Sequence, residues 1–141
     1  MKKILVITLL FVTTIAHADW TKVQVTDHEK YGVSTDYIDL DSIMKLSNDG
    51  MQAWVLYSYD KAQKQLSLNG KDIRYLSLMS LIKYDCKKQE ASPLISKSYS
   101  EKMGKGNLVE TSDYSKDDMS HLNKSIQPNT VHMAIWKKYC K

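Results

Sequence analysis

The two cysteines of the chain are far apart, with Cys86 well inside the sequence and Cys140 one residue from its end. A bond between them would fix the last segment of the chain to the strand-like run before Cys86. Closing a loop of about 54 residues would stabilise the fold by about 4 kcal/mol on the chain-entropy model. The alternatives are a redox pair, whose thiols are usually close in sequence, or metal ligands, although a zinc site needs more than two. We predict a structural disulfide.

The N-terminus predicts export to an oxidising compartment, where disulfides persist. Two lysines precede an apolar stretch over residues 4–15, and residues 16–18 form an A-x-A cleavage site. This layout is typical of a secretory signal peptide. A membrane anchor is the competing interpretation, but a spanning helix needs about 20 apolar residues and this stretch is shorter. The expected products are a signal peptide over 1–18, cleavage between Ala18 and Asp19, and one mature domain over 19–141.

Charge and hydropathy narrow the classes of partner. The net charge is only +4, two of the lysines lie in the predicted leader, and the remaining charges are scattered, so a nucleic-acid partner is not expected. No second apolar run approaches spanning length, and no cysteine lies immediately after the cleavage site to accept a lipid. We therefore expect a protein without a stable membrane anchor or a lipid anchor, located in the periplasm, in the medium or at the cell surface.

Alternating apolar residues and turn signals predict a chain dominated by strands. Turns are expected at "SNDG" (47–50) and "MGKG" (103–106), and a polar loop over 60–72. A short helix is expected in "QPNTVHMAIWKKYCK", capped by Asn129 or Thr130 after Pro128. The predicted strands are 20–25, 34–43 (a strand that ends in a turn), 51–59, 73–86, about 94–102 and 107–112.

Both cysteines lie on the apolar face of their own element. Side chains alternate along a strand, so Cys86 shares a face with Ile82 and Tyr84. On a helix, Met133, Trp136 and Cys140 fall on one stripe. A disulfide would then hold the terminal helix against the apolar face of the sheet. A helix this short needs such support, because it is only marginally stable in isolation.

No residue pattern indicates catalysis, a cofactor or a metal. His28, His121 and His132 are separated and lie in no H-E-x-x-H pattern or nucleophile elbow, so we expect His132 to be a packing or surface residue. Three aspartates, at 36, 39 and 41, lack the glycine and distal glutamate of a calcium loop and are better explained as turn caps. We predict no catalytic, cofactor-binding or metal-binding residue and expect no enzyme activity.

Aromatic residues suggest binding instead. The chain has nine tyrosines and three tryptophans, residue types that combine large apolar area with a polar group and favour binding surfaces. Ordinary strand composition is the alternative explanation. In the 51–59 strand, Trp54 lies on the face opposite Tyr57 and Tyr59, so at least one aromatic is exposed unless both faces are covered.

Six segments in a fixed order resemble the surface-adhesin protein E family of bacterial envelopes. "YIDLDSI" is similar to its Tyr-x-Asp-x-x-Ser-Ile, "SLMSLIKYDC" to its Ser-(x)8-Cys strand, and "YSEKMGKGNLVE" to its Tyr-x-x-x-Met-Gly-x-Gly hairpin. The others are "DW" at the start of the mature chain, "AWVLYSY", and the closing "IQPNT…IWKKYC". The resemblance covers the whole mature chain.

The resemblance implies an α+β fold, an antiparallel sheet of about six strands with a C-terminal helix tied to it by the disulfide. It also implies a non-enzymatic binding protein that contacts host extracellular-matrix or plasma proteins and forms a homodimer through its sheet. The adhesin itself resembles a lipoprotein, whereas this chain has no lipid-acceptor cysteine. A soluble periplasmic structural or accessory protein that binds another envelope component is the alternative.

Overall fold

The computed structural model describes residues 18–47, 49–67, 70–115 and 122–140, which form one antiparallel sheet and one helix. Six strands lie side by side in the order β1-β2-β4-β5-β6-β7, while β3 pairs with β4 and β8 with β6. The predicted α+β fold is confirmed. The elements are β1 Trp20–His28, β2 Gly32–Asp39, β3 Met44–Leu46, β4 Gly50–Leu66, β5 Asp72–Asp85, β6 Glu90–Tyr99, β7 Leu108–Asp113, β8 Lys124–Ser125 and α1 Val131–Tyr139.

The polar stretch 60–72 was predicted as a loop, and most of that prediction is wrong. After an irregularity between Ser58 and Gln63, β4 continues to Leu66 and pairs with the start of β5. Backbone pairing with β5 therefore outweighs the polar composition, which an exposed strand end tolerates. The segment 34–43 is a strand that ends in a turn, as predicted: after β2 ends at Asp39, Leu40–Ser42 form a 3₁₀ turn, and the Asp41 amide donates to the Asp39 side chain.

The disulfide between Cys86 and Cys140 is present, with 5.3 Å between the two Cα atoms. It joins the end of α1 to the end of β5, as predicted. The helix begins after Thr130, whose hydroxyl accepts a hydrogen bond from the Met133 amide at 3.2 Å. The core lies between the helix and one face of the sheet, and its fully buried members include Ile38, Met51, Ala53, Val55, Tyr84 and Ile135.

The opposite face of the sheet is covered at one end by the hairpin between β6 and β7. The amide of Gly104 donates to the Ser77 hydroxyl at 2.9 Å, and the amide of Met103 donates to the Ser58 hydroxyl at 3.3 Å. Met103 and Gly104 have φ values of +60° and +68°, which confirms the predicted glycine-bearing turn. Residues 1–17 of the predicted leader and His121 lie outside the described residues.

Candidate functional site

A cavity of about 580 Å³ lies on the helix side of the sheet, beside the N-terminal end of α1. A nine-residue helix spans about 14 Å, whereas the 17 residues of β4 span about 55 Å. The helix therefore cannot cover the whole sheet face. Beyond its N-terminal end, side chains of the sheet and of the first helical turn surround an open space. Those that matter below are Asp36, Tyr57, Tyr59, Tyr75 and His132. We call this space the tyrosine cavity.

Asp36 is buried in the wall of the tyrosine cavity. Ser34, Asp36 and Ile38 alternate along β2 and point inwards, and Asp36 is only 3% exposed. Its Oδ2 accepts a 3.4 Å hydrogen bond from the Thr26 hydroxyl, which in turn accepts one from Gln24 at 2.7 Å. Its Oδ1 has no hydrogen-bond partner among the described residues. The turn-cap prediction for Asp36 is thus wrong, because the residue lies inside a strand, whereas Asp39 does cap a turn.

Burial raises the pKa of the Asp36 carboxyl above its ordinary value. The neighbouring hydroxyl and amide groups of Ser34, Thr26 and Gln24, and the charge of His28, oppose that rise. A buried carboxylate with one unpaired oxygen is costly in a folded protein. Such groups concentrate at functional sites, so Asp36 marks the tyrosine cavity as a candidate binding site.

His132 lies between two tyrosine hydroxyls at the helix end of the cavity. Its Nε2 is 3.1 Å from the Tyr57 hydroxyl and its Nδ1 is 3.0 Å from the Tyr84 hydroxyl. Burial lowers the pKa of the His132 imidazole to about 4, and it raises the pKa values of both phenols. The chain Tyr57–His132–Tyr84 is therefore uncharged at neutral pH. In a neutral imidazole one nitrogen donates and the other accepts, so one phenol accepts and the other donates.

Further tyrosines complete the wall. Tyr59 and Tyr75 form an edge-to-face pair with ring centroids 6.0 Å apart, and the Tyr75 hydroxyl donates to Gln65 at 3.3 Å. The Tyr31 carbonyl oxygen accepts a 2.9 Å hydrogen bond from Gln63, and the Tyr31 residue is half exposed. The cavity thus combines one buried carboxylate with several aromatic rings, and the hydroxyls of Tyr57 and Tyr75 are paired within the protein.

A second surface, on the opposite face of the sheet, carries an apolar row. Trp54 of β4 is paired with Leu81 of β5, which is paired with Ile95 of β6, so the three side chains form a line across the sheet. All three are partly exposed. The Lys97 ammonium lies 5.6 Å from the centre of the Trp54 ring, within cation–π range, and Lys83 is exposed beside the row. We call this surface the open sheet face.

The sequence predicted the two faces but missed the cavity. Trp54 and Tyr57 lie on opposite faces, as alternation predicted, and His132 is a packing residue. Asp36, Tyr59 and Tyr75 line the same cavity because β2, β4 and β5 pair side by side and because the register of β4 shifts between Ser58 and Gln63. The available signal was Asp36 itself, a carboxylate at an inward position of a strand between Ser34 and Ile38.

Neither a membrane span nor a metal site is found in the described part of the chain. No helix there is both long and apolar enough to cross a bilayer. No group of three or more histidine, cysteine or acidic side chains among those residues is arranged to hold a metal ion.

The fold resembles that of protein E from Haemophilus influenzae. One structure of that protein superposes with a TM-score of 0.50 at 16% identity, covering 74% of this chain and 76% of that one. A second crystal form gives 0.52 at 16% identity, with coverages of 74% and 79%. A structure from a non-typeable strain gives 0.52 at 15% identity, with coverages of 95% and 82%. At this identity the likeness concerns the fold.

A meandering antiparallel sheet with a terminal helix tied to it by a disulfide defines a small, disulfide-bonded α+β domain. Residues 20–141 match the Surface-adhesin protein E family, so the chain belongs to that family. A sequence comparison with curated proteins gives no match. Family membership points to a surface adhesin, that is, an exported, non-enzymatic protein that binds host proteins.

Proposed function

We propose that the mature domain is a surface adhesin that binds host extracellular-matrix or plasma proteins through the open sheet face. The observation that carries the proposal is the row Trp54–Leu81–Ile95, which the helix and the β6–β7 hairpin leave uncovered. Aromatic anchors at the centre of a patch dominate the binding energy of protein interfaces. The flanking Lys83 and Lys97 favour a partner whose apolar patch is bordered by carboxylates.

The test uses the mature domain, residues 19–141, against solubilised basement-membrane extract and plasma proteins immobilised in parallel. Replacing Trp54 with alanine should weaken binding by about tenfold or more, the effect expected of an aromatic hot spot. Leu66→Ser is the matched control, because Leu66 is 66% exposed but lies at the far end of β4. Equal binding by all three proteins would remove the open sheet face from the proposal.

The family resemblance implies a homodimer that forms through the sheet, and we propose that the row Trp54–Leu81–Ile95 is the contact between the two copies. We propose that partner and second copy compete for it. Sedimentation velocity over a range of concentrations should show a dimer of the natural protein and a monomer of the Trp54→Ala variant. A dimer that survives in the variant places the contact between copies elsewhere.

The cellular location of the mature domain distinguishes the adhesin function from the alternative, a periplasmic protein that binds another envelope component. We propose that the leader is removed between Ala18 and Asp19 and that the product reaches the cell surface without a lipid anchor. Sequencing of the N-terminus of the native protein should read Asp19-Trp20. Protease treatment of intact cells should remove the protein. Protection until the outer membrane is opened would favour the periplasmic alternative.

A further inference from the structure

The tyrosine cavity contains a buried acceptor that the protein leaves without a partner. Asp36 Oδ1 is buried and unpaired, while Oδ2 is occupied by Thr26. None of the lysines or the arginine in the described ranges lies within ion-pair distance of this carboxylate, although Lys64, an exposed residue, lines the cavity. The free energy cost of leaving Oδ1 unpaired would be relieved by a ligand that donates a hydrogen bond to it.

The chemistry of the wall selects a cation. Asp36 is the only acidic side chain among the described residues that line the cavity, so a divalent metal would lack ligands there. Lys64 and His28 also line the cavity but are exposed, whereas the Asp36 carboxylate is buried and favours a cationic ligand. The electron-rich faces of Tyr57, Tyr59 and Tyr75 attract cations. Asp36 is paired across the sheet with Tyr57, and Tyr59 follows two residues further along β4, so both tyrosines lie beside the carboxylate in the cavity wall.

The number of unpaired oxygen atoms on Asp36 indicates which type of cationic group the cavity can bind. A guanidinium group binds carboxylates with two parallel hydrogen bonds, but only one Asp36 oxygen is free. A quaternary ammonium has no N–H to donate. A primary ammonium is a compact charge with donors that one oxygen can accept. We propose that the tyrosine cavity binds a primary alkylammonium group, with Asp36 as its counter-ion and the rings of Tyr57 and Tyr59 around its aliphatic stem.

Two sources can supply this chemistry, a free aliphatic amine or the lysine side chain of a protein. The proposal goes beyond the adhesin function and does not depend on it, because the tyrosine cavity and the open sheet face lie on opposite sides of the sheet. Loss of matrix binding in the Trp54→Ala variant and loss of amine binding in an Asp36 variant are therefore separate results.

The experiment follows backbone amide shifts of the ¹⁵N-labelled mature domain during titration with n-butylamine, n-butanol and tetramethylammonium chloride at neutral pH. n-Butylamine should shift the amide signals of Asp36, Tyr57 and Tyr59 in a saturable way. The neutral alcohol and the quaternary cation should bind about tenfold more weakly or worse, since the alcohol carries no positive charge and the quaternary cation has no N–H to donate to Oδ1. Equal shifts by all three probes would overturn the proposal.

Asp36→Asn is the decisive variant, because the amide keeps the shape of the side chain and removes the charge. It should weaken n-butylamine binding by about tenfold or more. Asp27→Asn is the matched control, since Asp27 is an exposed carboxylate on β1. If Asp36→Asn fails to fold, Tyr59→Leu, which removes one ring of the wall, should also weaken binding. Unchanged binding in the folded variants would overturn the proposal.

Two further probes identify the source of the ammonium group. Binding of Nα-acetyl-lysine amide as tight as that of n-butylamine supports a lysine side chain of a partner protein. Binding of 1,5-diaminopentane with exclusion of the lysine amide supports a free amine. Both outcomes keep Asp36 as the counter-ion, whereas failure of every primary amine would overturn it.

Discussion

The indole Nε1 of Trp136 donates a hydrogen bond to the carbonyl oxygen of Cys86 at 3.2 Å. Cys86 thus holds the helix twice, by this hydrogen bond and by its disulfide to Cys140. The covalent bond closes the long segment between the end of β5 and the end of the chain, and the hydrogen bond sets the orientation of the last helical turn beside it. The helix in turn supplies Val131 and His132 to the tyrosine cavity.

Removal of the disulfide should destabilise the domain strongly. The bond closes a segment with a sequence separation of 54, so replacing both cysteines with serine should lower the free energy of unfolding by about 4 kcal/mol on the chain-entropy model. Urea unfolding monitored by tryptophan fluorescence gives the value. Reductant should shift the midpoint of the natural protein and leave that of the double variant unchanged. A natural protein that is insensitive to complete reduction would contradict the prediction.

The helix cap provides a smaller and more local test. The Thr130 hydroxyl accepts from the Met133 amide and donates to the Gln127 carbonyl oxygen. Thr130→Ala should therefore cost about 1 kcal/mol of stability, and Thr130→Ser, which retains the hydroxyl, should cost much less. Thermal unfolding by circular dichroism compares the two variants. Equal losses would show that the Thr130 methyl group, rather than the cap, stabilises the helix.

Patterns in the sequence predicted those elements of the fold that are determined by residues adjacent along the chain. Alternation revealed β5 and placed Cys86 on the same face as Tyr84, and the Pro-Asn-Thr signal placed the start of α1 within one residue. The "MGKG" turn was recognisable because glycine accepts the positive φ that the turn requires. These features need no knowledge of which strands are neighbours.

The cavity could not be predicted in the same way, because it depends on register. Tyr75 reaches Tyr59 only because β4 shifts its pairing with β5 between Ser58 and Gln63. His132 is recognisable from sequence as part of a helix, but its two phenol partners come from two different strands. A single sequence contains no direct signal for such non-local pairing, since each strand is compatible with several registers.

His132 should make the stability depend on pH. Its pKa is about 4 in the folded protein against 6.5 for a free imidazole, so the unfolded chain binds the proton more tightly. Stability should therefore fall as the pH falls from 6.5 towards 4, by about 3 kcal/mol for this difference in pKa. Urea unfolding at several pH values measures the slope. His132→Gln replaces the two ring nitrogens with an amide donor and acceptor that do not titrate, so it should abolish this contribution, whereas an unchanged slope would assign the pH dependence to other groups.

Asp36 should act in the opposite direction. Burial raises its pKa above 3.8, so the folded protein holds the proton more tightly than the unfolded chain. Stability should decrease as the pH rises through the interval between 3.8 and the folded value, and the cost should remain at neutral pH. Asp36→Asn should therefore stabilise the domain at neutral pH, with a gain that disappears below pH 3.8, where the natural carboxyl is also uncharged. Combining Asp36→Asn with His132→Gln separates the pH dependence due to Asp36 from that due to His132.

If Asp36→Asn instead destabilises the domain at neutral pH, the ionised carboxylate is better paired than its free Oδ1 indicates. A stabilised variant that no longer binds n-butylamine would show that the protein retains a costly charge because the site uses it.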